Sequence, residues 1–108
     1  MNAAEAAPLF GVLANEDRLS VIRALVEAGP DGMCAGDIAQ KISASPSRAS
    51  FHLAALTECG IAIRQRQSRK LNYRVNFAMI GALIEFLFED CCKGSAALRA
   101  CCAVGSAR

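Results

Sequence analysis

Residues 45–60 have the sequence SPSRASFHLAALTECG, which predicts a single helix with clear ends. Ser45 is a favoured N-cap, Pro46 suits the first helical position because it has no N–H to leave unpaired, and Gly60 suits a left-handed end. Three apolar side chains recur at the spacing of one buried helical face: Ala49, Leu53 and Leu56. The stretch therefore predicts a helix that packs on one side and presents a polar side to solvent.

The polar side of this helix is a candidate nucleic-acid-binding surface. A shorter helix is predicted just upstream, around residues 36–42, and two helices joined by a tight turn form a helix-turn-helix candidate. A helical projection exposes six residues: Ser47, Phe51 and Ala54 at the centre, with Arg48, Ser50 and His52 on the flanks. Small and polar side chains can reach base edges, and Phe51 fits against a thymine methyl or a sugar. For His52, the only histidine, a DNA contact and a local hydrogen bond that orders the turn both remain open.

A basic β-hairpin is predicted after this helix. Residues 61–66 (IAIRQR) and 71–75 (LNYRV) alternate apolar and polar side chains, and residues 67–70 (QSRK) form the turn between them. We expect Arg66, Arg69 and Lys70 to contact DNA there, mainly at phosphates.

The charge distribution is uneven, although the net charge of the chain is only +2. Residues 41–74 carry a net charge of +6, against −4 for residues 1–40 and zero for residues 75–108. A concentrated basic patch is typical of a nucleic-acid-binding surface. The alternative is a solvated basic face with no partner.

Helices are also predicted on both sides of this central unit. An apolar helix around residues 9–13 precedes a helix that is capped at Asn15 and ends at Gly29 and Pro30. The predicted buried stripe of the second of these helices consists of Leu19, Ile22, Leu25 and Val26. The last helix, residues 77–92, carries a stronger apolar stripe: Ile80, Leu83, Ile84, Leu87 and Phe88. A terminal helix this apolar needs a partner surface, and a second subunit is the simplest one.

The expected organisation is one domain and a tail. Residues 1–92 are predicted to form the DNA-binding and dimerisation domain, and residues 93–108, rich in Ala, Gly and Ser, a flexible cysteine-containing tail. With 54% hydrophobic residues the chain is too apolar for general disorder. The sequence has no pattern of an export signal, and its longest apolar stretch, residues 77–88, is too short to span a bilayer. We therefore expect a cytoplasmic protein.

Six cysteines are many for a cytoplasmic chain of 108 residues. Four of them form adjacent pairs, Cys91-Cys92 and Cys101-Cys102, and the geometry of a disulfide disfavours a bond between neighbours. In a reducing compartment, grouped thiols favour metal binding or redox sensing.

Three segments resemble the arsenic-repressor (ArsR/SmtB) family of winged-helix repressors. Residues 13–25 (LANEDRLSVIRAL) look like its second helix, residues 45–56 like its recognition helix, and residues 60–74 like its wing. Together the resemblance covers roughly residues 8–92. It implies a mainly α (α+β) fold, a winged helix-turn-helix with a two-stranded β-hairpin wing, which forms a homodimer through its terminal helices. It further implies a repressor whose recognition helices enter the major groove of operator DNA and whose hold on the operator is weakened by metal or metalloid.

The position of the inducer site departs from the best-known arrangement in that family. Of the two cysteines expected at the start of the third helix, Cys34 is present and Gly36 replaces the other. The segment FLFEDCC instead resembles relatives whose sensor lies at the end of the last helix. Trivalent arsenic is soft, favours thiolates and needs three. We therefore expect arsenite, an organoarsenical or Sb(III) to bind among the four C-terminal thiols, with Cys91 and Cys92 as two ligands and Cys101 or Cys102 as the third.

Other uses of the cysteines remain open. Cys91 and Cys92 continue the apolar stripe of the last helix and would also serve as small core residues. Four thiolates can hold zinc, and the same fold can sense thiol oxidation or persulfide. A thiol-rich metal buffer or a small redox enzyme is a further alternative, although no Cys-x-x-Cys motif is present and we expect no enzyme. Cys59 is expected to pack in the core and Cys34 to be inert.

Overall fold

A computed structural model describes residues 1–106, with the side chains of residue 91 and residues 103–106 outside the description. The described elements, in chain order, are α1 (Ala3–Leu13), α2 (Glu16–Ala28), a 3-10 turn (Gly29–Asp31), β1 (Met33–Cys34), α3 (Ala35–Lys41), α4 (Pro46–Glu58), β2 (Ala62–Gln67), β3 (Lys70–Val75), α5 (Phe77–Glu85), a π-helical turn (Phe86–Cys91) and α6 (Ala96–Ser106). The mainly α fold with a small antiparallel sheet is the one that the sequence predicted.

The ends of α2 and α4 are set by local interactions that the sequence predicted. Asn15 accepts a hydrogen bond through its side chain from the backbone N–H three residues on, at 3.1 Å. Ser45 does the same for α4 at 3.2 Å, and Pro46 occupies the first position of that helix. Gly60 follows α4 with a φ of 85°, a left-handed conformation that costs glycine little. These interactions fix the start of α2 and both ends of α4.

The sheet contains the predicted hairpin and one strand that the sequence did not predict. Strands β2 and β3 pair antiparallel from Ala62 and Val75 at the base to Gln67 and Lys70 at the tip. The two-residue β1 pairs with the outer side of β3, so that the strand order is β1-β3-β2. A strand this short shows no alternation pattern, because it is defined by its partner rather than by its own residues. It ties the start of α3 to the hairpin.

The core lies where α2, α3, α4 and the base of the hairpin meet. Its largest fully buried side chains are Val21, Leu25, Ile38, Leu53, Leu56, Ile61 and Val75. Burial of an aliphatic side chain of this size contributes about 1.5–3 kcal/mol, so this cluster is the main source of stability. The predicted stripe of α2 was partly wrong: Leu19 is 54% and Val26 47% exposed. The helix instead turns Val21 and Ala24 inward, together with the predicted Leu25.

The C-terminal region differs from the prediction of one helix followed by an unstructured tail. Helix α5 ends at Glu85, and the chain continues as a π-helical turn in which the Cys92 N–H donates to the Leu87 carbonyl five residues back. After a reversal the chain forms α6. Near the start of this helix the Arg99 N–H donates to the Ser95 carbonyl at 2.9 Å. Alanine, which suggested a flexible tail, is also the strongest helix former. Among residues 1–106 no helix is long and apolar enough to span a membrane.

Helix α5 buries only part of its apolar stripe within one chain. Leu83 is 3% exposed and packs in the core, whereas Phe77 and Ile84 are 52% and 60% exposed. Leu87, in the π-helical turn, is 43% exposed. The apolar face formed by Phe77, Ile84 and Leu87 is therefore open to solvent in the isolated chain.

Candidate nucleic-acid interface and C-terminal cysteines

The outer side of α4 carries the exposed residues that the sequence placed there. Ser47, Ser50 and Phe51 are exposed, and we call these three the recognition face. Phe51 is 64% exposed, yet its ring lies edge-on to the His52 ring at 5.5 Å between centroids. The Arg18 guanidinium carbon lies 5.7 Å from the Phe51 centroid, within reach of a cation–π interaction. The aromatic ring is therefore held from behind while its outer surface stays accessible.

His52 does not belong to the exposed face, and its predicted position on the flank of that face is corrected. The residue is only 6% exposed. Its Nδ1 accepts a hydrogen bond from Arg18 Nε at 3.1 Å, and its Nε2 lies 3.3 Å from Asp17 Oδ2. Of the two interpretations of His52, the structure supports the local hydrogen bond. The spacing of Ala49, His52 and Leu53 contained this information, because residues three and four apart share a helical face.

Arg48 reaches the surface next to the recognition face but is paired within the chain. Its Nε lies 2.9 Å and its Nη2 3.4 Å from the two carboxylate oxygens of Asp17. The Arg48 side chain remains 51% exposed. An exposed pair of this kind is weak, so the guanidinium can exchange Asp17 for a phosphate or a base edge.

The charged side chains of the hairpin are all positive. Arg66, Arg69 and Lys70 are exposed at or near its tip, as predicted. Residues 61–75 contain five arginine or lysine residues and no aspartate or glutamate. A strand pair with this charge attracts phosphates whatever the base sequence.

A groove between α4 and the hairpin adds two residues that sequence reasoning missed. The groove measures about 400 Å³ and is lined by Ser50, Ala54, Thr57, Glu58, Arg64 and Tyr73. Arg64 and Tyr73 face each other across the strand pair. Alternation along β2 would have found Arg64, since it shares a face with Arg66. The groove continues the recognition face to the base of the hairpin.

Two cysteines lie in the body of the domain. Cys59 caps the end of α4, packs against the core and directs its Sγ to the Leu56 carbonyl at 3.4 Å. Its predicted packing role is confirmed. Cys34 is half-buried in β1, opposite Asn72 of β3.

The C-terminal cysteines lie on the two sides of the chain reversal that follows the π-helical turn. Cys91 is the last residue of that turn, and its side chain lies outside the described residues. Cys92, Cys101 and Cys102 are exposed, so Cys92 is not a filler of this chain's core. Among the side chains that the structure describes, no group of three His, Cys, Asp or Glu is gathered around a point that would hold a metal ion. A three-thiolate site would thus require Cys91 or a movement of α6.

Arg99 attaches helix α6 to the π-helical turn. Arg99 Nη2 donates to Glu89 Oε1 at 2.8 Å, and its guanidinium carbon lies 4.8 Å from the centroid of Phe88. The Gly94 N–H donates to the Phe88 carbonyl at 2.7 Å and closes the reversal. The side chains of Arg99 and Glu89 are 58% and 49% exposed, so this ion pair is weak.

The region that forms this surface also matches a known family. Residues 15–64, from the N-cap of α2 into β2, match the family described as "Bacterial regulatory protein, arsR family". The solved structure of AntR, an antimony-specific transcriptional repressor, is 31% identical, covers 79% of this chain and 76% of that chain, and superposes with a TM-score of 0.63. The chain belongs to the arsR family.

Other relatives include a repressor and an activator of transcription. The arsenical resistance operon repressor of Escherichia coli (strain K12) is 34% identical over 68 residues, which are 63% of this chain and 56% of that protein's length. The present chain thus spans little more than half of this curated relative. The structure of reduced HlyU from Vibrio cholerae N16961 is 28% identical, covers 82% of this chain and 90% of that chain, and has a TM-score of 0.64. HlyU of Vibrio cholerae is a transcriptional activator, so the relatives are transcriptional regulators rather than enzymes.

Proposed function

We propose that this arsR-family protein is a cytoplasmic homodimeric repressor of a metalloid-resistance operon, released from its operator when As(III) or Sb(III) binds its C-terminal thiolates. The observation that carries the DNA-binding part is the joint exposure of the recognition face and of a hairpin without acidic residues. The inducer part is supported by the exposed thiols at the C-terminus.

The DNA-binding part follows from the shape and charge of the surface. Helix α4 has 13 residues and projects Ser47, Ser50 and Phe51 outward, and an α-helix fits the B-DNA major groove. Arg66, Arg69 and Lys70 then lie where the hairpin would follow the adjacent phosphates. Arg48, which is held only by a solvent-exposed ion pair, can join either set of contacts.

The dimer is supported by the open apolar face of Phe77, Ile84 and Leu87. A two-fold axis through this face would bury the same residues from both chains, which is the commonest form of homodimer. It would also set the distance between the two recognition helices, and hence the half-site spacing of the operator.

The inducer part follows from thiol chemistry. Trivalent arsenic and antimony favour sulfur over nitrogen and oxygen, and adjacent Cys91 and Cys92 offer two sulfurs at one place on the chain. Cys101 or Cys102 would supply the third, once the weak attachment of α6 through Arg99 gives way. Because the Cys91-Cys92 pair directly follows the segment that carries Leu87, closing such a site would alter the packing of the proposed dimer.

The test is to titrate arsenite into the purified protein and to count the thiols protected per chain, while DNA release is followed in parallel. We expect three protected thiols per chain. Arsenite should no longer release C91S or C92S from DNA, although both variants should still bind DNA. C34S and C59S are matched controls and should behave as the wild type. Release by arsenite in both C91S and C92S would refute the site, and Cd²⁺ and Sb(III) arms would define the selectivity among soft ions.

A second candidate signal is oxidation or persulfidation of the same thiols. It is favoured by the exposure of Cys101 and Cys102, since accessible thiols are the ones that oxidants reach. The relative HlyU has been solved in a form described as reduced. Mass spectrometry decides between the two: a disulfide or polysulfide link that releases DNA, together with no effect of arsenite, would favour oxidation.

A further inference from the structure

Three helices meet at the buried imidazole of His52. The ring belongs to α4 and lies against Asp17 and Arg18, consecutive residues in the first turn of α2. Arg18 also reaches α1, because its Nη1 donates to the Val12 carbonyl at 3.1 Å. One guanidinium therefore connects the last turn of α1 with the middle of α4.

The hydrogen bonds define the protonation of the ring. Arg18 Nε is a donor at 3.1 Å, so His52 Nδ1 must be the acceptor and carry no proton. Nε2 then carries the proton and donates to Asp17 Oδ2 at 3.3 Å. The His52 side chain is 7% exposed, so water does not readily replace either partner. Asp17 in turn also holds Arg48, the charged residue of α4 that reaches the surface.

Arg18 uses the geometry of its guanidinium in a way that lysine cannot copy. Two different nitrogens of one planar group bond to His52 and to Val12, and its central carbon lies 5.7 Å from the centroid of the Phe51 ring. An ammonium group is a single point of charge without this fork.

We propose that Arg18 is a positioning residue, which sets the direction of α4 relative to α1 and so aims the recognition face at the bases. The inference rests on the DNA-binding part of the proposed function and is independent of the inducer. Helix α4 has 13 residues and is about 20 Å long, so a tilt of about 5° moves one end by nearly 2 Å relative to the other. Hydrogen bonds to base edges tolerate only a few tenths of an ångström, whereas attraction to phosphates is much less sensitive.

The test compares affinity for two DNA duplexes: one enriched by the wild-type protein from a random-sequence pool, and a scrambled duplex of the same length. R18K keeps the positive charge but loses hydrogen bonds of the guanidinium. We expect its affinity for the enriched duplex to fall about tenfold, which is typical of the loss of a charged hydrogen bond, and its affinity for the scrambled duplex to stay within about twofold of wild type. R23K on the exposed side of α2 is the matched control and should change neither affinity. An equal loss on both duplexes, or no loss, overturns the inference. If no duplex is enriched, the proposed DNA binding fails as well.

Two substitutions of His52 separate its two hydrogen bonds. H52N places an amide oxygen near the position of Nδ1 and can keep the Arg18 bond, whereas H52Q places its amide near Nε2 and can keep only the Asp17 bond. We expect H52N to retain the preference for the enriched duplex within about threefold and H52Q to lose about tenfold. The opposite order would assign the positioning to Asp17 and overturn the role of Arg18.

The ring itself gives a readout that needs no DNA. In ¹⁵N NMR of the wild-type protein at neutral pH, His52 should show a bare Nδ1 and a protonated Nε2, because the partner of one nitrogen decides which nitrogen holds the proton. R18K should lose the shift of Nδ1 that reports an accepted hydrogen bond. A protonated Nδ1 in the wild type would overturn the inference, whatever the DNA affinities.

Discussion

The salt dependence of DNA binding gives the sharpest test of the basic hairpin. Arg69 and Lys70 are both exposed at the tip of the β2–β3 turn, where neither has an acidic neighbour within residues 61–75. Each phosphate contact lowers log K by about 0.9 per unit of log salt concentration, so two contacts per chain in a dimer contribute a slope of about 3.6. Between 50 and 200 mM salt, this slope corresponds to a change in affinity of about 150-fold.

The double variant R69A/K70A should therefore lose much less affinity over that range than the wild type, which fluorescence anisotropy with a labelled duplex measures directly. A matched control, R23A/K41A, removes the same net charge from a groove between α2 and α3. We expect this control to keep the wild-type slope. The placement of the hairpin against DNA would be refuted by an unchanged slope in R69A/K70A, or by an equal decrease in the control.

Three further predictions concern the fold and the assembly. L53A removes a fully buried side chain and should lower the free energy of unfolding, measured by urea denaturation, by about 2–5 kcal/mol. L19A, at a half-exposed position, should change it by less than about 0.5 kcal/mol. Similar losses in the two variants would contradict the placement of Leu19 outside the core. G32A should lower the free energy of unfolding by more than about 1 kcal/mol, because the φ of Gly32 is 74° and an added Cβ would overlap a β3 carbonyl. G36A, where α3 has open space for a Cβ, should leave this free energy unchanged or raise it by up to about 1 kcal/mol. Equal effects of the two substitutions would count against the geometry of the turn at Gly32. I84E should convert the dimer to monomer in analytical ultracentrifugation, with L19E as the control that leaves the assembly intact, and a dimeric I84E would exclude the proposed α5 interface.

The parts of the fold that depend on neighbours in sequence were predictable. Ser45 and Gly60 mark the two ends of α4, and they were predictable because a capping hydroxyl and a left-handed glycine act over three or four residues. The hairpin followed from alternation for the same reason. Strand β1 was not predictable, because two residues acquire a strand conformation only through pairing with β3. The placement of Leu19 outside the core depends on which side of α2 meets α4, and periodicity alone does not decide this.

The candidate site shows the same division. Exposure of Ser47, Phe51 and the hairpin cations followed from helical and strand periodicity and agrees with the structure. The helical projection placed His52 on the flank of the exposed face, whereas the residue is buried, three and four positions being the spacing that it shares with Ala49 and Leu56. The partners that hold it, Asp17 and Arg18, lie more than thirty residues away in sequence, and only the packing of α2 on α4 brings them together.

The π-helical turn makes the direction of the residues that follow it insensitive to the loss of one residue. A π-helical turn contains one residue more than an α-helical turn, while both complete one revolution around the axis. Deleting a single residue from 86–91 would therefore let α5 continue as an α-helix and would leave the following residues on nearly the same side of the helix, shifted along its axis. In an uninterrupted α-helix, by contrast, the same deletion would rotate all later residues by about 100°.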